Sequence, residues 1–165
     1  MTTQLPGWPL AIFRLIFGIL YLDMAFQKAP WLGYGWLPGF IEKEIANPTF
    51  PVVATVLREV VLVHFEFFGM LTFLTELGLG LGLLLGLLTR LVGLAGFLWQ
   101  VNIAAQAFNV PGEWGWIWVL LALPQFCFAF CAAGRVWGVD AWLVPVLRQR
   151  AAAGAGWARL LGYAA

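Results

Sequence analysis

A helix that crosses a bilayer needs about twenty mostly apolar residues, because lipid offers an open backbone no hydrogen-bond partner and each residue advances only about 1.5 Å. This chain of 165 residues holds four such stretches, at about 8–27, 67–88, 91–108 and 114–132. With 62% of its residues apolar and 10% charged, the chain inverts the balance that keeps a soluble domain in water. The sequence therefore predicts an all-α integral membrane protein, a four-transmembrane-helix bundle forming a single membrane domain over residues 1–165, with membrane lipid as its first partner.

What joins the spans is short. Between the first and second lies KAPWLGYGWLPGFIEKEIANPTFP, broken by proline and glycine yet rich in aromatics. That pattern predicts a surface-hugging loop with an interfacial helix near Phe40 to Ile45, followed by a lead-in over 52–65 to the second span. Only Thr89 and Arg90 separate the second and third spans, which predicts a tight antiparallel pair. After the fourth span, RVWGVDAWLVPVLRQR alternates bulky apolar and basic residues and reads as an interfacial C-terminal helix. The opening MTTQLPGWPL has neither the basic region nor the small-residue cleavage site of a secretory signal, so the first span is expected to be retained. Many of the ten tryptophans lie near span ends, where indoles favour the membrane boundary.

Arg90, Arg135, Arg148, Arg150 and Arg159 fall on the side shared by both termini. Lys28, Lys43 and Arg58 fall on the other, diluted by Glu42, Glu44 and Glu59. The excess of basic residues predicts a multi-pass protein of the inner (cytoplasmic) membrane with both termini cytoplasmic. A formal charge of +1, with no basic tract, sets nucleic acid aside as a partner. No phosphate loop, Ser-His-Asp arrangement, haem attachment or zinc-spaced Cys/His cluster is visible, so neither metal nor haem is expected. Cys127 and Cys131, four apart in an apolar segment, read as small packing residues rather than a redox dithiol.

One stretch raises a chemical question. LTELGLGLGLLLGLLTRL, residues 74–91, carries a carboxylate at Glu76 in a run whose Gly78, Gly82 and Gly86 form a small-residue face for close helix packing. A bare charge at mid-bilayer costs at least a few kcal/mol, so Glu76 must be neutral, partnered or useful. Arg90 is about three turns away, too far for a pair on one helix, which leaves Arg14 as a candidate partner. On the first span Arg14, Gly18, Tyr21, Ala25 and Lys28 stay within about 40° of one another and form one stripe, while Asp23 and Gln27 point the opposite way. The plainer reading sends Arg14 and Lys28 to opposite headgroup layers. On the third span Trp99, Asn102, Gln106 and Asn109 form a polar stripe, either glue between helices or the lining of a pocket. His64 and Glu66, nearer the outer boundary, are placed to exchange protons with water.

These segments resemble a known family. RLIFG from Arg14, QKAPW from Gln27, WLPGFIEKEIANPTFP from Trp36, TEL from Thr75, GLLLGLLTRL from Gly82, Asn102 and AGRVWGVDAWL from Ala133 are together similar to the DoxD and DoxX family of small four-helix membrane proteins, most closely the DoxD branch. One departure is Asp23-Met24-Ala25, where a small residue, commonly glycine, is expected. The resemblance implies the membrane subunit of a thiosulfate:quinone oxidoreductase, which oxidises thiosulfate to tetrathionate and reduces a membrane quinone beside a smaller partner subunit. On that reading Glu76, with His64 and Glu66, handles protons. Arg14, Lys28, Trp99, Asn102 and Gln106 bind the quinone or guide the sulfur anion, and Lys43 lies on the anion's entry path. The alternative is a non-catalytic scaffold subunit of a larger respiratory or photosynthetic complex, in which Glu76 is a buried structural charge.

Overall fold

The computed structural model describes residues 7–165; the first six, MTTQLP, which open the stretch read against a signal peptide, lie outside the described residues. Among those described there are eight α-helices and no strand. They are α1 (Trp8–Gln27), α2 (Leu37–Ala46), α3 (Pro51–Val56), α4 (Phe65–Leu85), α5 (Thr89–Ala107), α6 (Trp116–Phe130), α7 (Asp140–Ala152) and α8 (Gly156–Ala164). Two of these, α1 and α4, are long and apolar enough to cross a membrane. α6 is apolar but has 15 residues, and α5 has 19 residues with Arg90, Gln100, Asn102 and Gln106 among them.

Proline sits in the first turn of α1, α2 and α3, where its missing N–H is no loss and its fixed φ suits a helix start. The lead-in expected over 52–65 is not one helix. α3 passes into a π turn at Leu57–Val61, and the chain bends at His64, whose φ of −115° breaks the helical run before α4. The C-terminal helix expected from RVWGVDAWLVPVLRQR is present as α7, and a further helix, α8, follows it after Gly154 at φ +93°.

α1 packs along α4, and α5 along α6. The first pair closes where Gly18 meets the backbone of Gly80 and Leu84, the second where Gly93 meets the backbone of Gln125 and Ala129. The small-residue face expected at Gly78, Gly82 and Gly86 is therefore differently used. Gly78 is open, Gly82 faces Val92 across the turn, and Gly86 ends α4 at φ +64°. Phe17 and Phe128 meet edge to face at 5.7 Å and join the two pairs, in a core with Tyr21, Leu79, Leu83 and Ala133. The outer faces carry large exposed apolar side chains, among them Ile19, Leu74, Leu98, Leu123 and Phe130.

A tight turn joins α4 and α5, at 86–88 and not at Thr89 and Arg90, which open α5, and the two helices share little contact beyond it. A clamp holds that turn. Arg14, fully buried, donates to the carbonyls of Leu83, Leu84 and Trp137, so that a cation satisfies the orphan carbonyls at the C-terminus of α4. Asp140, also fully buried, accepts from the Leu88 N–H (2.8 Å), the Thr89 N–H (2.9 Å) and the Thr89 hydroxyl (2.6 Å), and so caps the N-terminus of α5. The Thr89 hydroxyl in turn accepts from the Gly134 N–H. Leu88, Ala132 and Trp137 all hold left-handed backbone here, a strain that persists because these bonds fix the chain on both sides.

Gly134 leaves no space for a side chain: a Cβ would lie 2.4 Å from the Asp140 carboxylate and 2.6 Å from the Thr89 hydroxyl. We expect Gly134→Ala to cost about 2–4 kcal/mol through overpacking and broken hydrogen bonds. Gly78→Ala, a helical glycine with nothing within 4 Å of the added carbon, should gain about 0.5–1 kcal/mol. Thermal unfolding of the two variants in detergent micelles checks the contrast.

Candidate functional site

Because α4 and α5 separate above their turn, a cavity of about 780 Å³ opens between them. α4 lines it from Phe68 to Glu76, α5 from Ala95 to Gln106, and the end of α1 contributes Met24 and Lys28. The loop helices roof it through Trp36, Phe40, Glu44, Val56 and Leu57. That roof is pinned: the Tyr34 ring packs on Gly69 and on Phe65, and the Asn109 amide donates to the Pro48 carbonyl at 3.2 Å. The wall is mostly apolar, with its polar groups gathered at a few points, which is the usual make-up of a ligand site.

At the inner end stands a buried ion pair. Lys28 Nζ donates to Glu76 Oε1 at 2.5 Å, with both side chains almost wholly withdrawn from solvent. The same ammonium lies 4.9 Å from the centre of the Trp36 ring, whose face it attracts. The partner of Glu76 is thus Lys28 and not Arg14. The reason is depth: Arg14 sits about four turns before Lys28 on α1, where the carbonyls of Leu83, Leu84 and Trp137 accept from it. Neither cation reaches for a headgroup layer, since both are buried.

Glu76 keeps capacity to spare. Its Oε2 has no hydrogen-bond partner, and the indole Nε1 of Trp99, likewise unpaired, is the donor that faces the carboxylate. Next to Trp99 on α5, Gln100 Nε2 donates at 3.1 Å to the hydroxyl of Tyr21, about two turns before Lys28 on α1, leaving Gln100 Oε1 unpaired. Gln125, fully buried against Gly96, has both amide atoms unpaired. A line of polar groups therefore runs from the cavity into the bundle.

Of the residues singled out in the sequence, Glu76, Lys28, Trp99, Asn102 and Gln106 meet at this cavity. Arg14, His64 and Glu66 do not line it. His64 is exposed at the bend before α4, and the exposed Glu66 offers only its backbone carbonyl, to the Tyr34 hydroxyl. Asp23 and Gln27 pair with each other on the far side of α1, where Gln27 also accepts from the Trp36 indole. Cys127 and Cys131 are free thiols. No group of three or more metal-ligating side chains is found among the described residues.

Glu44 is the residue the sequence reading passed over, counting it only as a loop charge. It is 4% exposed and lines the cavity, and burial pushes its carboxyl up from 4.5 to about 7. A signal was present: Leu37, Ile41 and Glu44 fall at i, i+4 and i+7, so an acid occupies the apolar face of α2. A carboxyl tuned to neutrality in a cleft is suited to taking and giving protons. Against this geometry no family model, no curated protein and no solved structure matches the chain.

Two outcomes are expected. Lys28→Met strands Glu76 and should cost about 3–5 kcal/mol, and the double variant Lys28→Met/Glu76→Leu should recover most of it. A double-mutant cycle of unfolding free energies measures this. The second concerns Glu44, which is protonated in the fold up to about pH 7 but ionises near 4.5 once unfolded. Unfolding then releases a proton between those values, so stability is highest at the acid end of the window and falls as pH climbs through it. Glu44→Gln should remove that part of the slope in melting midpoints taken across the window.

Proposed function

We propose that this chain is the membrane subunit of a quinone-linked oxidoreductase of the DoxD kind, acting on thiosulfate beside a partner subunit. In this reading α1, α4, α5 and α6 cross the inner membrane, the α4–α5 turn and both termini lie on the cytoplasmic side, and α2, α7 and α8 lie in the interface. The observation that carries the proposal is an apolar cavity with unused hydrogen-bonding capacity at its inner end, on Glu76 Oε2 and Trp99 Nε1. A ligand with an apolar tail and a ring bearing oxygens at its edge fits such a wall.

Glu76, Trp99, Asn102 and Gln106 are the residues that would hold a quinone. The carboxylate accepts from a hydroxyl, and the indole and the two amides donate to a carbonyl. A quinone supplies an acceptor for two electrons, taken up with two protons. Lys28 keeps the Glu76 carboxylate in place. Glu44, tuned near neutrality at the roof, exchanges protons between the cavity and its mouth. Thiosulfate reaches the assembly from the side of Lys43, and the partner subunit gives its electrons a route.

Binding of a short-chain quinone analogue, followed by quenching of tryptophan fluorescence, tests the reading. Trp99→Phe removes one donor and should weaken binding about tenfold, the equivalent of about 1.4 kcal/mol. Thiosulfate-dependent quinone reduction by the purified assembly should fall with it. If the wild-type chain binds no quinone analogue and co-purifies with a large haem or pigment complex, the scaffold reading takes its place.

A further inference from the structure

A second site lies at the opposite end of the bundle, beside the clamped turn. Arg135 is held below its ordinary basicity by burial first, and then by the like charges of Arg90 and Arg148, against the opposing charge of Asp140. The chain itself brings these arginines to one end: the Gly134 N–H bond to the Thr89 hydroxyl sets the neighbouring Arg135 and Arg90 side by side, the Asp140 bonds to Thr89 anchor the start of α7, which carries Arg148, to the same turn, and the charges of Arg90 and Arg148 act on Arg135. The Nε–H groups of Arg90 and Arg135 are buried and have no acceptor. Asp140, the acid that acts on Arg135, cannot serve them fully, because both of its oxygens already accept from Leu88 and Thr89. Like charges held together with unmet donors call for an anion rich in oxygen, and a guanidinium matches phosphate through paired N–H groups.

Arg90 also stands at the edge of a groove of about 490 Å³ between α5, α6 and α8. The rest of that groove is chiefly apolar, walled by Leu91, Leu94, Phe130 and Leu160, with Tyr163 at α8. Anion-seeking groups and an apolar channel therefore share one residue. We propose that this is a binding site for an anionic phospholipid, its phosphate held by Arg90, Arg135 and Arg148 and one acyl chain lying in the α5–α6–α8 groove. Charge complementarity selects this occupant: a zwitterionic lipid brings no net charge to three cations, and a free phosphate leaves the groove unfilled. The inference needs the chain to sit in a membrane but does not depend on quinone binding at the cavity.

The test uses the full chain in detergent micelles with three probes: phosphatidylglycerol, phosphatidylcholine with the same acyl chains, and inorganic phosphate. Native mass spectrometry and melting midpoints read the result. Phosphatidylglycerol should be retained and raise the midpoint, while the other two do neither. Arg148→Gln, at an exposed position of α7, and Arg90→Gln should each weaken retention several-fold and together abolish the preference over phosphatidylcholine. Leu94→Trp, which fills the groove and leaves the charges untouched, should weaken retention about tenfold. Equal retention of the two lipids, an equal effect of inorganic phosphate, or unchanged preference in folded Arg90→Gln/Arg148→Gln protein overturns the proposal. None of these outcomes bears on quinone-analogue binding, so the two sites succeed or fail separately.

Discussion

The arrangement of this chain turns on two opposite charges that do not pair with each other. Arg14 closes the C-terminus of α4 and Asp140 opens the N-terminus of α5, each meeting the helix end whose partial charge it complements. Helix ends in apolar surroundings leave backbone groups that nothing else can satisfy. Here a side chain from α1 and another from α7 do so, and in doing so they fasten the first and seventh helices to the same turn. Left-handed backbone at Leu88, Ala132 and Trp137 is the strain that this fastening sustains.

The cavity is a consequence of that arrangement. With the turn clamped at one end, and α4 committed to α1 as α5 is to α6, the two helices have little left to hold them together further along. They part, and the loop helices cover the gap without filling it. A fully packed interior would have no use for Lys28 and Glu76, since apolar residues of similar volume stabilise a core as well as a buried ion pair does, or better. The pair stands at the end of an open space with one carboxylate oxygen unspent, and this is what makes it a candidate for chemistry. Glu44, across the same space, differs in kind: no hydrogen bond to its carboxyl is found among the described residues, and burial alone sets its proton affinity.

Much of this was legible in advance, and the reasons are local. α1 spans Trp8–Gln27 as its run of apolar residues requires, and the stripe of Arg14, Gly18, Tyr21, Ala25 and Lys28 is buried along its whole length, because side chains at i, i+3 and i+4 of a helix must share a face. That α4 and α5 are joined by a very short turn was equally plain, although it falls at 86–88 and Thr89 and Arg90 already belong to α5. Three features were not. Gly80, not Gly78, meets α1, because glycines at alternate positions lie on different faces and only the partner helix selects one. Gln100 lies beside the polar stripe of α5, not on it, and was hidden until Tyr21 came opposite. Asp140 is the single acid of a segment that reads as an interfacial helix, and only the return of the chain to residue 88 gives it a role.

The sequence by itself determined that the chain is helical, where its long apolar helix α1 runs, and that a carboxylate in so apolar a run must find a partner, since periodicity and desolvation act within a few turns of backbone. Tertiary structure alone decided which partner. Lys28 and Arg14 share one face of α1 about four turns apart, and their positions in the sequence do not say which of the two comes level with Glu76. The distinction is one of depth along α4, set by where Gly18 meets Gly80, because an ion pair forms between groups that the packing of two helices brings level.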